Sequence, residues 1–157
     1  MGEVMLTSTF LVRRLIPGDE ATLAACTRSD ARFELEQDSA APSVPLDADA
    51  AGAFLADPSV LFWQAESEGR PIGMLLCYVQ RRRAAGDWAE LALYEIGVDR
   101  EWRMRGVGRA LLTAMHQWMD ANAVHEVWVP AAPTAVGFYI ACGFQTDDGV
   151  LLSMRLP

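Results

Sequence analysis

The spacing of apolar positions predicts alternating strands and helices along this chain. Short apolar runs rich in Val, Leu, Ile and aromatic residues are typical of strands, whereas apolar positions three or four apart are typical of helices. On this basis we predict strands at residues 10–15, 60–66, 72–79, 91–98 and 126–129. We predict helices over residues 20–32, 48–57 and 106–121, and a further helix that ends before Gly143.

Local signals set several of these boundaries. Asp19 precedes the first helix as a predicted N-cap, and Asn122 follows the third helix as a predicted C-terminal stop. Pro130 cannot donate a hydrogen bond to a sheet, so we expect strand pairing to fail there and the adjacent strands to diverge. Residues 147–149, Asp-Asp-Gly, predict a turn between two final strands.

The composition is that of a single folded domain spanning residues 1–157. Apolar residues make up 52% of the chain and charged residues 22%, which is typical of a globular protein. The sequence has no internal repeat, no apolar run of the ~20 residues that span a bilayer and no signal-peptide pattern. Three cysteines without a C-x-x-C motif predict reduced thiols, so we expect a cytoplasmic protein with no membrane partner and no metal.

The formal net charge of −8 changes the set of expected partners. Nucleic-acid-binding proteins carry basic surfaces, so we expect no nucleic-acid partner. A cationic small-molecule amine would be attracted by the charge, although a charge of this size is also ordinary for a small soluble domain. The charge alone favours the simpler explanation, solubility.

A loop between the fourth predicted strand and the third predicted helix carries the clearest chemical signal. Its residues combine two glycines with three arginines: Arg103, Met104, Arg105, Gly106, Val107, Gly108 and Arg109. A helix that begins at Gly106 leaves backbone N–H groups unpaired at the positive end of its dipole, which is a site for a diphosphate. The loop lacks the Lys-Ser/Thr pair of a P-loop and the G-x-G-x-x-G pattern of a dinucleotide-binding unit.

Two motifs resemble those of the GNAT superfamily of N-acetyltransferases. Arg103-x-x-Gly106-x-Gly108 is similar to its acyl-coenzyme A signature, and residues 134–144 are similar to its second hallmark, with Phe138-Tyr139 followed by Gly143-Phe144. The resemblance implies an α/β fold with a mixed, mostly antiparallel sheet, helices on both faces and a splay between the fourth and fifth strands. It also implies that acetyl-CoA lies in that gap, beside Ile96, Gly97 and Val98, and that a homodimer is common.

Glu95 and Tyr139 are the predicted catalytic residues. Glu95 is a carboxylate within an apolar strand, so it is either a structural charge, an edge residue facing solvent, or a general base that deprotonates an ammonium substrate. Tyr139 on an apolar helix would ordinarily be a core residue. The family resemblance implies instead that Tyr139 protonates the departing thiolate, and that backbone N–H groups near Val98 hold the oxyanion.

The acceptor is predicted from a closer resemblance, to the aminoglycoside 3-N-acetyltransferases. It rests on Glu90-x-x-x-Tyr94-Glu95, on the strand around residues 77–79 and on the helix that carries Tyr139, whereas the loop at residues 130–133 is shorter than in those enzymes. Tyr94, Glu95, Glu36 and Asp38 are the predicted acceptor-binding residues. Three hypotheses stay open: acetylation of an aminoglycoside 3-amino group, acetylation of another amine such as a polyamine, an amino acid or a protein N-terminus, and non-catalytic sensing of acetyl-CoA.

Overall fold

The five strands predicted between residues 10 and 129 form one mixed sheet. The structure, a computed structural model, describes residues 9–33 and 43–156. The strands lie in the order β1-β2-β3-β4-β5, with antiparallel pairing up to β4 and parallel pairing between β4 and β5. Their bounds are β1 Leu11–Arg14, β2 Val60–Ser67, β3 Arg70–Arg81, β4 Ala89–Val98 and β5 Val127–Trp128. The predicted fold class is confirmed.

Helices cover both faces of the sheet, because successive strand residues send apolar side chains to opposite sides. Their bounds are α1 Glu20–Arg28, α2 Asp30–Phe33, α3 Ala48–Ala56, α4 Val107–Ala121 and α5 Val136–Ala141. The core on one face joins α4 and Tyr139 of α5 to Leu75, Cys77 and Leu93. The core on the other face joins α1, α2 and α3 to Phe62, Met74 and Leu76. None of the helices in the described ranges is both long and apolar enough to cross a membrane.

The first helix differs from its prediction at both ends. The side chain of Asp19 makes no cap hydrogen bond; it accepts two 3.0 Å hydrogen bonds from Arg13, and the Arg13 guanidinium lowers the pKa of the Asp19 carboxyl. The helix predicted over 20–32 is interrupted at Ser29, where α1 ends and the short α2 begins. The chain therefore turns before Asp30, which redirects the side chains of α2.

Other boundaries are confirmed. Gly106 is the N-cap of α4, and Asn122 is its C-cap. Gly143 adopts a φ of 95° after α5, and the Phe144 N–H donates to the Tyr139 carbonyl at 3.0 Å. This six-to-one hydrogen bond is the Schellman arrangement, which places glycine at the left-handed position.

The predicted C-terminal strands are absent from the described part of the chain. Residues 144–156 form neither strand nor helix, so the turn predicted at 147–149 does not join two strands. The two predicted acceptor residues Glu36 and Asp38 lie outside the described residues.

Candidate active site

The site begins where β5 separates from β4. The two strands pair only at Leu91 with Val127 and at Ala92 with Trp128. Arg82 closes the base of the gap, since its guanidinium bonds both Glu90 of β4 and Glu126 just before β5. Beyond Ala92, β4 has no strand partner on its β5 side in the described ranges.

The open edge of β4 presents backbone groups for hydrogen bonding. The Asp99 N–H donates to the Ile72 carbonyl of β3 at 2.9 Å. Hydrogen-bonding direction alternates along a strand, so the backbone groups of Ile96 and Val98 point away from β3 toward the gap. The side chains of these two residues pack toward the α4 core. An extended amide-containing ligand could therefore pair with β4 as a strand would.

A bulge in β4 sets the positions of Tyr94 and Glu95. Leu76 pairs with Glu95 and Cys77 pairs with Leu93, so Tyr94 is the inserted residue. The Tyr94 ring is exposed and meets the Tyr78 ring edge-on at 5.5 Å between centroids. Glu95 is exposed as well. Bulges commonly re-aim side chains beside active sites.

The backbone between β4 and α4 forms a concave set of N–H groups. Met104 and Gly106 have φ values of 60° and 84°, which turn the chain sharply ahead of the helix. The first N–H groups of α4, at Val107, Gly108 and Arg109, have no carbonyl one turn earlier to receive them. A Cβ at position 106 would meet nothing within 4 Å, whereas a Cβ at 108 would lie 3.1 Å from the Phe138 ring. Gly106 thus keeps open the concave set of N–H groups at Val107, Gly108 and Arg109, here called the cradle. Gly108 also permits contact with α5.

The three arginines of the loop have different surroundings. The Arg103 Nε donates to the Val98 carbonyl at 3.1 Å, and its Nη2 donates to the Phe33 carbonyl at 3.2 Å. The Arg105 guanidinium lies over the Trp102 ring, 5.4 Å from its centroid. The Arg109 Nη2 donates to the Ala141 carbonyl at the end of α5, at 3.4 Å. Arg103 therefore fixes the end of β4, while Arg105 and Arg109 flank the cradle.

Helix α2 is fastened to the same end of β4. A Cβ at Gly97 would lie 2.7 Å from the Cβ of Phe33, so only glycine allows this approach. Arg32 forms a salt bridge with the buried Asp99. Phe33 and Arg32 thereby hold α2 against the strand that borders the gap.

Tyr139 lies on the opposite face of the sheet from Glu95. Its buried ring belongs to the α4 core and packs against Phe138 and Phe144, with centroids 5.3 and 5.2 Å away. Glu95 pairs with Leu76 of the other core, and paired residues share a face. Burial raises the pKa of the Tyr139 phenol to about 12. The phenol is thus protonated at neutral pH and able to donate a proton.

A cavity of about 150 Å³ lies on the Glu95 face. Its walls are mainly apolar, and Glu95 and Asp30 are the two carboxylates that line it. Sequence reasoning missed Asp30, because a continuous helix through residue 32 would point it to solvent. No local signal shows the break at Ser29 that turns it toward the cavity.

Two of the three cysteines are poorly placed to act as nucleophiles. Cys26 and Cys77 are buried, and burial raises the pKa of each thiol to about 12. Thiols with such pKa values are almost entirely protonated at neutral pH and therefore unreactive. Within residues 9–33 and 43–156, no three His, Cys, Asp or Glu side chains cluster as metal ligands would.

Residues 24–144 match the family model for the acetyltransferase (GNAT) family. The chain belongs to that family. The matched range contains the cradle, the open edge of β4 and the helix that carries Tyr139. In this GNAT acetyltransferase, both family motifs lie at the open end of the gap, where the beginning of α4 contacts α5. A search of curated protein sequences finds no match.

Solved structures share this GNAT fold over almost the entire chain. The aminoglycoside acetyltransferase meta-AAC0020 from an uncultured soil metagenomic sample, in complex with trehalose, has 21% identity and a TM-score of 0.79 over 99% of each chain. The aminoglycoside N-acetyltransferase AAC(6′)-Iy in complex with CoA has 18% identity and a TM-score of 0.70, covering 98% of this chain and 99% of its own. The ribosomal-protein-alanine N-acetyltransferase from Brucella melitensis biovar Abortus 2308 has 16% identity and a TM-score of 0.70, covering 95% and 100%. At these identities the likeness establishes the fold.

Proposed function

We propose that this protein transfers an acetyl group directly from acetyl-CoA to an amine. The observation that carries the proposal is the unpaired edge of β4, which leads from Ile96 and Val98 to the N–H groups at the start of α4. Pantetheine amides would hydrogen-bond to the edge, and the pyrophosphate would bind the helix N-terminus. Arg105 and Arg109 would add positive charge beside it. AAC(6′)-Iy, which shares the fold, is solved with CoA.

The chemistry assigned to the gap is general acid–base catalysis. Glu95 accepts a proton from the substrate ammonium, directly or through water, because only the neutral amine has a lone pair. The amine nitrogen attacks the thioester carbonyl carbon, and the Val98 N–H stabilises the resulting oxyanion. When the carbon–sulfur bond breaks, the Tyr139 hydroxyl protonates the thiolate, and the second proton lost by the attacking nitrogen passes through water to restore the phenol. The amide and free CoA are the products.

We propose an aminoglycoside amino group as the acceptor. Glu95 and Asp30 line one apolar-walled cavity, and the net charge of −8 attracts a polycation. At about 150 Å³ the cavity is smaller than the ~300–1,000 Å³ usual for a drug-sized ligand. It would hold one amine-bearing part of the antibiotic, with the remainder outside. The neighbour meta-AAC0020 is also solved with the aminoglycoside sisomicin.

The 3-amino group is the position that the sequence resemblance predicts. AAC(6′)-Iy, by its name, is an enzyme for the 6′ position, so acetylation at the 6′-amine is the competing outcome. A smaller amine is the second candidate, and the small volume of the cavity favours it. The presence of both Glu95 and Tyr139 favours catalysis over simple sensing of acetyl-CoA.

The decisive experiment measures thiol release from acetyl-CoA with a panel of amines. We expect release with gentamicin or sisomicin, a product heavier by one acetyl group, and an NMR spectrum that locates the acetyl on the 3-amine. The rate at subsaturating antibiotic should fall as salt screens the attraction. Release with spermidine or a peptide N-terminus, but not with an aminoglycoside, would show that the acceptor is another amine. The proposed catalytic chemistry would stand. No release with any amine would contradict catalysis.

Gly106→Val tests the coenzyme cradle. The valine side chain would occupy the space where the pyrophosphate should lie, and its β-branch disfavours the φ of 84°. Losing one or two charge-assisted hydrogen bonds should weaken acetyl-CoA binding about 10–100-fold, measured by titration calorimetry. Gly86→Val is the matched control, because Gly86 also has a positive φ and open space but lies in the β3–β4 loop. Equal affinities in the two variants would refute the cradle assignment.

A further inference from the structure

Arg103 differs from the other two arginines of its loop in its surroundings. It is half-buried, whereas Arg105 and Arg109 are exposed. Its Nε donates to the Val98 carbonyl at 3.1 Å, and its Nη2 donates at 3.2 Å to the carbonyl of Phe33, 70 residues earlier in the chain. The donors of an arginine form a rigid planar fork, so two such bonds fix the direction of the whole group. The guanidinium therefore joins the end of β4 to the end of α2.

The end of α2 depends on Arg103 more than the end of β4 does. Helix α2 is a single turn that ends at Phe33, and the last carbonyl groups of a helix have no partner within it. Arg103 supplies a partner for the Phe33 carbonyl through a charged donor, which bonds more strongly than a neutral one. The end of β4 has separate support, because Val98 pairs with Gly73 of β3. Removal of the guanidinium should therefore loosen α2 and leave β4 in place.

The same helical turn carries a carboxylate into the cavity of about 150 Å³. Asp30 lines that cavity together with Glu95. Asp30 is three residues before Phe33, and residues three apart are neighbours on a helix surface. A shift at the Phe33 end of so short a helix therefore displaces Asp30 as well. Hydrogen bonds between a carboxylate and an ammonium are short, so a small displacement of Asp30 weakens its interaction with a cation in the cavity.

We propose that Arg103 is a positioning residue for the amine acceptor: its guanidinium holds α2 so that Asp30 meets a substrate ammonium in the cavity. The proposal rests on the acetyl transfer proposed above and adds a residue that sets acceptor affinity. Arg103 thus has a different role from the coenzyme contact that its place in the loop predicts. The pyrophosphate is then bound by the N–H groups of the cradle and by the exposed Arg105 and Arg109.

The first test makes the same substitution at two arginines of the loop. At saturating acetyl-CoA, Arg103→Met should raise the KM for sisomicin about tenfold, as expected for a lost charged hydrogen bond, and change kcat little. Its acetyl-CoA affinity, measured by calorimetry, should stay within about threefold of the parent value. Arg105→Met should give the opposite pattern, with weaker acetyl-CoA binding and an unchanged KM for sisomicin.

The sign of the KM change is informative, because removing a positive charge would by itself strengthen the attraction of a cation. A higher KM in Arg103→Met must therefore come from lost positioning. If Arg103→Met instead weakens acetyl-CoA binding as Arg105→Met does and leaves the KM for sisomicin unchanged, the proposal is overturned.

The second test asks whether Arg103 acts through Asp30. Asp30→Asn alone should raise the KM for sisomicin, and adding Arg103→Met to it should raise the KM little further, because two residues that serve one interaction have non-additive effects. Arg103→Lys keeps the charge and can donate to one carbonyl, so it should recover part of the lost affinity. Fully additive effects of the two substitutions would show that Arg103 does not position Asp30.

The third test needs no turnover. Amide hydrogen exchange at residues 30–33 should be faster in Arg103→Met than in the parent protein or in Arg105→Met. Thiol release by the parent protein tests the proposed function, whereas exchange and calorimetric binding of sisomicin to the variants test Arg103, so the two proposals fail separately. Unchanged exchange at residues 30–33 in Arg103→Met would overturn the positioning role whatever the activity of the parent protein.

Discussion

Tyr139→Phe is expected to lower kcat about 10²–10⁴-fold, the usual contribution of a general acid, while acetyl-CoA affinity stays nearly constant. The substitution removes only the hydroxyl, and the ring can keep its packing against Phe138 and Phe144. Without that hydroxyl, the thiolate must leave without a proton from the enzyme. Burst or steady-state thiol release measures kcat, and calorimetry measures coenzyme affinity.

The pH profile adds a second check on Tyr139. Because its pKa is raised to about 12 by burial, the acid form persists throughout the range in which the protein can be assayed. The parent enzyme should therefore show no loss of kcat from phenol ionisation up to about pH 10. Tyr78→Phe is the matched control, since it removes a phenol hydroxyl on the other face and keeps the ring beside Tyr94. A Tyr139→Phe variant as active as this control would return Tyr139 to a purely structural role.

Glu95→Gln should lower kcat/KM at neutral pH by a comparable factor, about 10²–10⁴-fold, and leave coenzyme binding intact. Glutamine has nearly the same shape but cannot accept the ammonium proton. At higher pH more of the free amine is neutral, so the deficit relative to the parent enzyme should shrink. The Tyr139→Phe deficit has no such dependence on amine ionisation, which distinguishes the two roles.

The control for Glu95 is Glu66→Gln, a carboxylate at the far end of β2, two strands away from β4. This variant should retain the rate of the parent enzyme across the same pH range. A constant deficit for Glu95→Gln at every pH would argue against a base. Normal turnover at neutral pH would show that the exposed Glu95 carboxylate has no part in the reaction.

The elements that were predictable depend on residues close together in sequence. The beginning of α4 follows from Gly106, and its end from Asn122, because capping is decided within one helical turn. The separation of β4 from β5 was predictable from Pro130, which cannot extend the pairing of so short a strand. The helix start on which the proposed cradle depends was likewise recognisable, since its two glycines and the helix that follows are contiguous.

The elements that were not predictable depend on distant partners. Asp19 is a suitable N-cap, but Arg13 supplies a charged partner that binds its side chain instead. Tyr94 enters β4 as a bulge only because of its register with β3, and this bulge, rather than the apolar pattern, leaves Glu95 exposed. Segment 150–156 has a strand pattern without a strand partner among residues 9–33 and 43–156, because pattern indicates a propensity and pairing requires a neighbour.

Helix α2 is only four residues long, yet it contacts the proposed sites of both substrates, the acceptor and the coenzyme. Asp30 lines the cavity proposed for the acceptor, while Arg32 and Phe33 contact Asp99 and Gly97 at the end of β4, the strand proposed to bind the coenzyme. A movement of α2 caused by either substrate would shift the backbone that receives the other. Thermodynamic linkage makes this influence reciprocal: the factor by which bound coenzyme changes acceptor affinity equals the factor by which the acceptor changes coenzyme affinity. Cooperativity between the two substrates would thus reside in a single helical turn.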